Sequence, residues 1–295
     1  MKVLITGENS YAGTQLEKRI TELNMNWDIE FISVRNNNWK QVDFSVYDAI
    51  YHVAAIVHKK ETTESKDLYY KINRDLTHDL AVKAKDEGVK TFVFLSTMAI
   101  YGLIGKIGEE TIISKDTIPK PTSNYGKSKL EAEQLLNSLQ SSEFNVSILR
   151  IPMIYGYECP GNYKALSKLA KKTFVFPRIK NKRSFIYIDH LSDIVAHLIK
   201  NKISGLFLVK NPEDIDTLKM VSEIALNNNR KIYSSYLLGI FIKYFGNNFI
   251  ITRKMFGNVF YSNNDCVIPN FQFKTISFEE SIFLSENFKG NFPLH

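Results

Sequence analysis

The sequence predicts an α/β fold: a doubly wound parallel sheet that carries a smaller mixed α/β lobe. Three observations predict it. The apolar run 3–5 ends in Thr6-Gly7, with Gly13 at the mouth of a helical pattern. Strand-like apolar runs then alternate with helical stretches as far as residue 151, and that alternation makes a parallel sheet with crossover helices. After Arg150 the alternation loosens into segments punctuated by Pro and Gly, as loops around short elements are.

Strands buried on both faces read as near-continuous apolar runs. The first, KVLITG at 2–7, leads to a helix over 11–23. Strands follow at 28–34 (DIEFISV), a short 42–44 (VDF) and 49–55 (AIYHVAA). A long helix is predicted over 66–87, a strand at 91–96 (TFVFLS), a helix over 123–139 and a strand at 146–151 (VSILRI). Residues 152–182 hold Pro152, Pro160, Gly161 and Pro177, so loops around a short helix are expected there. A strand at 184–188, a helix over 190–200 and a strand at 205–209 read as a return to the sheet. The expected organisation is a dinucleotide-binding domain of 1–151 and about 183–210. A substrate lobe of about 152–182 and 211–295 would lie over the carboxyl ends of the strands, where α/β sheets bind ligands.

A chain of 295 residues builds an ample core without staples. Cys159 and Cys266 make no disulfide framework and suit a reducing, cytoplasmic setting. The six histidines show no metal-ligand spacing, so no metal is expected; His52 and His58, the closest pair, read as ordinary strand and loop histidines. The first apolar run ends at Gly7 with no cleavage pattern after it, so no signal peptide is expected. Residues 237–251, LLGIFIKYFGNNFII, are broken by Lys243 and Gly246-Asn247-Asn248. They are too short to span a membrane and read as a packed helix pair. The formal charge of +7 suits an anionic ligand. The basic residues are mostly single or paired, as in Lys59-Lys60 and Lys171-Lys172, without the aromatic-laced stripe of a nucleic-acid surface.

Two motifs carry chemistry. A glycine turn between the first strand and helix lets the backbone approach a pyrophosphate, and the helix N-terminus attracts its charge. Tyr125 and Lys129 are the only Y-x-x-x-K pair in the chain, and four-residue spacing puts them on one helix face. A nearby ammonium favours phenolate, so the Tyr125 pKa is expected to fall from about 10 toward working pH. That would make it a general acid or base. Thr97, at the end of the 91–96 strand, can hydrogen-bond a substrate oxygen that changes between carbonyl and alcohol. An ordinary surface pair and a strand-end cap are the plainer alternatives.

With TGxxxxxG, HVAA, Asn73, STxxxYG, YGKSK, LRxPxxYG and RSFIYIDH in this order, the chain resembles the extended short-chain dehydrogenases/reductases, the NAD-dependent epimerase/dehydratase family. The resemblance covers nearly the whole chain, most firmly 1–200. It implies a Rossmann-type domain, Tyr125 as acid/base, Lys129 on the nicotinamide ribose and Thr97 as the hydroxyl partner. Gly7, Ser10, Tyr11 and Gly13 would border the pyrophosphate, and Asp43 and Phe44 would flank the adenine. Ala54, Ala55 and Asn73 would line the cofactor cleft, with Pro152 near the nicotinamide. Ser10 replaces the usual middle glycine, and His190 stands where a second aspartate is more common after Asp189. The resemblance further implies a homodimer through the helices near 66–87 and 123–139.

The second strand ends in FISVRNNN. It lacks the acid that holds the ribose hydroxyls of NAD, and Arg35 is placed for a 2′-phosphate, so NADPH is favoured over NAD. The segments 155–166 and 176–188 resemble substrate loops of sugar-nucleotide members. By that resemblance Asn162 would touch a UDP-sugar, Arg183 its pyrophosphate, and Phe176 and Pro177 the uracil. Dehydratases of the family carry Asp-Glu directly after the catalytic Thr; here Met98 and Ala99 stand there, and neither can move a proton. The chain most resembles surface-polysaccharide 4-keto reductases, which implies NADPH-dependent reduction of a UDP-4-keto-6-deoxy-N-acetylhexosamine. A C4 epimerase holding NAD is the alternative. A non-catalytic cofactor sensor or RNA-binding scaffold is the alternative from another class, and it has no need of Tyr125, Lys129 and Thr97 together.

Overall fold

The computed structural model describes residues 1–57, 62–273 and 276–287. Strand β1 (Lys2–Thr6) leads through α1 (Tyr11–Glu22) to β2 (Asp28–Ile32) and β3 (Ala49–His52). Helix α2 (Thr63–Tyr70) runs through a π turn, Lys71–Asp75, into α3 (Leu76–Asp86), and β4 (Thr91–Thr97) follows. After a short β5 (Glu110–Ile113), α4 (Asn124–Leu139) leads to β6 (Asn145–Ile151). Outside the main sheet lie β7 (Met153–Tyr155), α5 (Asn162–Ala170), β8 (Val175–Pro177) and β9 (Phe185–Tyr187). Helix α6 (Ile188–Lys200) returns the chain to β10 (Gly205–Leu208), beside β6. The remainder holds α7 (Thr217–Leu226), β11 (Tyr233–Ser235), α8 (Tyr236–Phe245), α9 (Ile250–Phe256), β12 (Asn258–Tyr261) and α10 (Phe278–Asn287).

The sheet is parallel throughout, in the order β2-β1-β3-β4-β6-β10. Its order reverses between β1 and β3, so a ligand crevice opens at their carboxyl ends. The apolar runs are apolar because both faces are covered. Leu16 and Ile20 of α1 and Leu191, Ile194 and Leu198 of α6 pack on one face. Leu80 and Ala84 of α3 and Ala132 and Leu136 of α4 pack on the other. A bidentate pair fastens α1 to α6: Arg19 Nε and Nη2 donate to the Asp193 carboxylate at 2.7 and 2.9 Å.

Four expectations need correction. Residues 42–44 form no strand. A 3₁₀ turn, Asn37–Gln41, precedes them, the Asp43 carboxylate takes the Ser45 amide at 2.9 Å, and the Phe44 ring drops into the core. The alternation there is core anchoring rather than strand pairing. The strand expected at 184–188 to return to the sheet forms as β9 but pairs with β7 outside it. The 66–87 helix is interrupted by the π turn. The stretch 237–251 does form two helices, but in α8 only Gly239 is buried, so the pair is largely unpacked. His52 bridges β1 and α3, with Nδ1 2.5 Å from Thr6 Oγ1 and Nε2 2.8 Å from Thr77 Oγ1. Burial drives its pKa down to about 3, so it is a neutral core strut. His58, Lys59 and Lys60 lie outside the described residues.

Candidate active site

At the crevice, Gly7 has φ +108°, and an added Cβ would sit 3.2 Å from the Ala54 backbone nitrogen. Glycine therefore lets the turns after β1 and β3 meet. The Gly7 amide donates to the Ile32 carbonyl at 3.0 Å, and the Ser10 amide closes the turn on the Gly7 carbonyl at 2.9 Å. Ser10 is the N-cap of α1 but makes no side-chain cap bond. Its hydroxyl is folded against Gly13, 2.5 Å from where a Cβ would be. Ser10 is thus accommodated at the usual glycine position because Gly13 leaves room. The Ser10 hydroxyl is buried with no partner. The first amides of α1 also lack intrahelical acceptors. An orphaned donor at a helix N-terminus, above a turn with no side chain in the way, fits the pyrophosphate of a dinucleotide.

Thr97 ends β4 and Tyr125 opens α4, capped by Ser123, whose hydroxyl accepts from the Gly126 amide at 3.1 Å. The Tyr125 hydroxyl is hydrogen-bonded to Thr97, whose Oγ1 also accepts from the Ala99 amide at 3.1 Å. Burial pushes the Tyr125 phenol up to about 12, partly offset by Thr97. This corrects the expected fall. Lys129 is buried one turn on, its Nζ donates to the Leu95 carbonyl at 2.8 Å, and it lies 4.3 Å over the Phe94 ring. Burial pulls its pKa down to about 7, against the raising effect of Glu133. Burial thus disfavours both the ammonium, which is turned to a backbone carbonyl, and the phenolate. Glu133 is itself fixed by Arg150 at 2.7 Å, and Arg150 donates to the Tyr101 hydroxyl at 2.8 Å. This buried network, absent from the sequence reading, ties α4 to β4 and β6.

The other expected cofactor contacts divide. Arg35 is exposed three residues beyond β2. Tyr11 is the first residue of α1, and Ala54 and Ala55 are half-buried in the crevice wall. Pro152 directly follows β6, whose Ile151 pairs with Thr97. Asp43 is exposed, whereas the Phe44 ring is fully buried and its amide donates to Glu87 at 2.5 Å. Asn73 is fully buried; its Oδ1 accepts from the Ile56 amide at 2.8 Å, and its Nδ2 donates to the Ile56 carbonyl at 3.0 Å and Ser128 at 3.2 Å. It is a positioning residue that holds the loop after β3 against α4.

Beyond Pro152 a cavity of about 540 Å³ opens, with Met153, Asn162, Arg183, Arg253 and Lys254 in its wall. Thr97, Tyr125 and Lys129 are not in that wall, but the β4–β6 register sets Thr97 two residues' reach from Met153. The Arg183 guanidinium donates to the Lys254 carbonyl, and burial lowers its pKa to about 10. Arg253 donates to the Ile104 carbonyl at 2.8 Å, and its Nε is buried without a partner. Sequence reasoning missed Arg253 and Lys254; the basic pair directly after the apolar 237–251 run was the available signal. Phe176 is buried against Phe256, ring centroids 5.5 Å apart, and neither it nor Pro177 lines this cavity. His190, without an expected role, is buried with Nδ1 3.0 Å from Asn211 Oδ1, and Asn211 donates to the Tyr155 hydroxyl at 2.8 Å. Among the described residues no group of three His, Cys, Asp or Glu is placed to hold a metal.

A model of the NAD dependent epimerase/dehydratase family matches residues 3–207. UDP-glucose 4-epimerase of Vibrio cholerae is 28% identical over 284 residues, 85% of this chain and 84% of its own. Among solved structures, UDP-glucuronic acid 4-epimerase from Bacillus cereus in complex with NAD superposes with TM-score 0.72 at 18% identity, covering 97% of each chain. A dTDP-4-dehydrorhamnose reductase from Bacillus anthracis in complex with NADP superposes with TM-score 0.62 at 22% identity, covering 79% of this chain and 82% of its own.

Proposed function

The chain belongs to the NAD dependent epimerase/dehydratase family, NAD(P)-dependent enzymes of sugar nucleotides, and we propose that it is a 4-keto reductase. The substrate is a UDP-4-keto-6-deoxy-N-acetylhexosamine and the reductant NADPH. The product is UDP-N-acetyl-D-fucosamine or its C4 epimer, UDP-N-acetylquinovosamine, for capsular or other surface polysaccharide. The observation that carries this reading is Tyr125 beside Met98 and Ala99. Burial disfavours the phenolate, and a carbonyl reduction needs the protonated phenol as its acid. Met98 and Ala99 add no group for eliminating water.

When bound, the dihydronicotinamide supplies the hydride. The Thr97 hydroxyl holds the C4 oxygen, and Tyr125 Oη delivers the proton to it. Lys129 and the turn at Gly7, Ser10, Tyr11 and Gly13 hold the cofactor, with Arg35 at its 2′-phosphate and Asp43, Ala54, Ala55 and Pro152 along it. Arg183, Arg253, Lys254 and Asn162 face the nucleotide diphosphate, a role that suits guanidinium groups. Two copies pair through α2, α3 and α4, and the setting is the cytoplasm.

A C4 epimerase would use the same Tyr125 and Thr97, and the Vibrio cholerae relative bears that name. The test is incubation with NADPH and the 4-keto sugar, with NMR of the product. A single C4 alcohol supports the reductase. An unchanged ketone, together with interconversion of UDP-N-acetylhexosamine epimers, supports the epimerase.

A further inference from the structure

We infer that the surface built from α8, α9 and the exposed side of β8–β11 docks on an anionic lipid bilayer. Leu237, Tyr244 and Ile251 are 79%, 75% and 73% exposed. Phe241, Phe249 and Ile250 are each more than half exposed between them. Single exposed apolar residues need no explanation, but a contiguous set does. This set lies on one continuous stretch of chain, from β11 through α8 into α9. Strand β11 runs straight into α8, and β8 pairs with β11 so that exposed Val175 and Tyr233 lie side by side. Gly239 rests on the next backbone segment, where an added Cβ would be 2.4 Å from the Arg178 carbonyl oxygen. The inner side of α8 is therefore closed, and its aromatic side faces out.

Charge selects the occupant. Residues 174–180 and 230–256, which build this surface, hold seven of the 38 Lys and Arg and none of the 31 Asp and Glu. In the rest of the chain acids and bases balance. Arg178, Lys180 and Lys243 are exposed and form no ion pair with a described residue. An aromatic and aliphatic face rimmed by cations is the pattern of a segment lying in the plane of an anionic membrane surface. A second copy of the chain fits poorly, because an isologous contact sets each patch against itself and would oppose cations with no acid between them. Among the described residues no helix is long and apolar enough to cross a membrane, so the docking is peripheral. Helix α9 carries both Ile250 and Ile251 in this face and Arg253 and Lys254 in the cavity wall, so docking brings the cavity to the membrane surface.

The test is co-sedimentation of the full-length protein with vesicles of phosphatidylcholine, with and without half phosphatidylglycerol. Binding to the anionic vesicles is expected, weakened by salt. The triple change Leu237→Ser, Phe241→Ser and Tyr244→Ser should lower the partition at least ten-fold, with turnover and circular dichroism unchanged. The single change Lys243→Gln, which leaves the helix intact, should lower it about five-fold. No binding to anionic vesicles, or binding untouched by these changes, overturns the proposal. So does a wild-type oligomer in light scattering that the triple variant dissociates, because the face would then be a protein interface.

Discussion

The Tyr125 hydroxyl holds its proton at neutral pH, with Thr97 beside it. Tyr125→Phe removes only proton transfer. Turnover should fall by about 10²–10⁴ while NADPH affinity, read by fluorescence, stays the same. Turnover within a few-fold of wild type would remove Tyr125 as the acid. Lys129 gives a pH signature. Burial holds it at about 7 in the folded chain, against about 10.4 unfolded. Between those values the unfolded chain binds the extra proton, so stability rises with pH across that window, by up to about 1.4 kcal/mol per unit. Below about pH 7 both states are charged, and the penalty for burying the ammonium is constant. The difference in urea-derived stability between Lys129→Met and wild type should therefore be largest below pH 7 and shrink toward pH 10; parallel curves would contradict it. Arg35→Ala should weaken NADPH by about ten- to a hundred-fold, since a charge-assisted contact is worth about 1.5–3 kcal/mol, and leave NADH unchanged. Equal wild-type affinity for both cofactors in titration calorimetry would end that argument.

At the scale of elements, the π turn at Lys71–Asp75 aims Asn73 between the loop after β3 and α4. Asn73→Ala leaves the Ile56 amide and carbonyl without their partners, so a loss of about 2–3 kcal/mol is expected in urea unfolding. A loss under half a kcal/mol would show that the loop finds other partners. The central strands and the helices of the crossovers were legible in the sequence because burial on both sheet faces forces continuous apolar runs. The 42–44 segment was not, because Val42 and Phe44 alternate like a strand while they anchor a loop to the core. The Tyr125–Lys129 spacing was legible, yet the direction of the tyrosine shift was not. It depends on how deeply the helix is buried and on Lys129 facing the Leu95 carbonyl, neither of which spacing encodes. Phe176 shows the same limit, since its burial against Phe256 comes from a strand pairing between distant segments.

The whole molecule places Thr97 and Tyr125 near the crevice of the sheet and a cavity lined by Arg183, Arg253 and Lys254 beside it, on a sheet whose order reverses between β1 and β3. The proposed reductase would consume one cofactor for each sugar on that arrangement. Met98 and Ala99 cannot assist loss of water across C5 and C6, so UDP-N-acetylglucosamine alone should yield no 4-keto-6-deoxy sugar, and the proposed reduction would need a separate dehydration to supply its substrate. The most direct measurement is the loss of NADPH absorbance against the product formed from the 4-keto sugar. The account predicts about one NADPH oxidised per sugar reduced, because a reductase has no step that returns the hydride. Interconversion of UDP-N-acetylhexosamine C4 epimers with no net change in NADPH would contradict it.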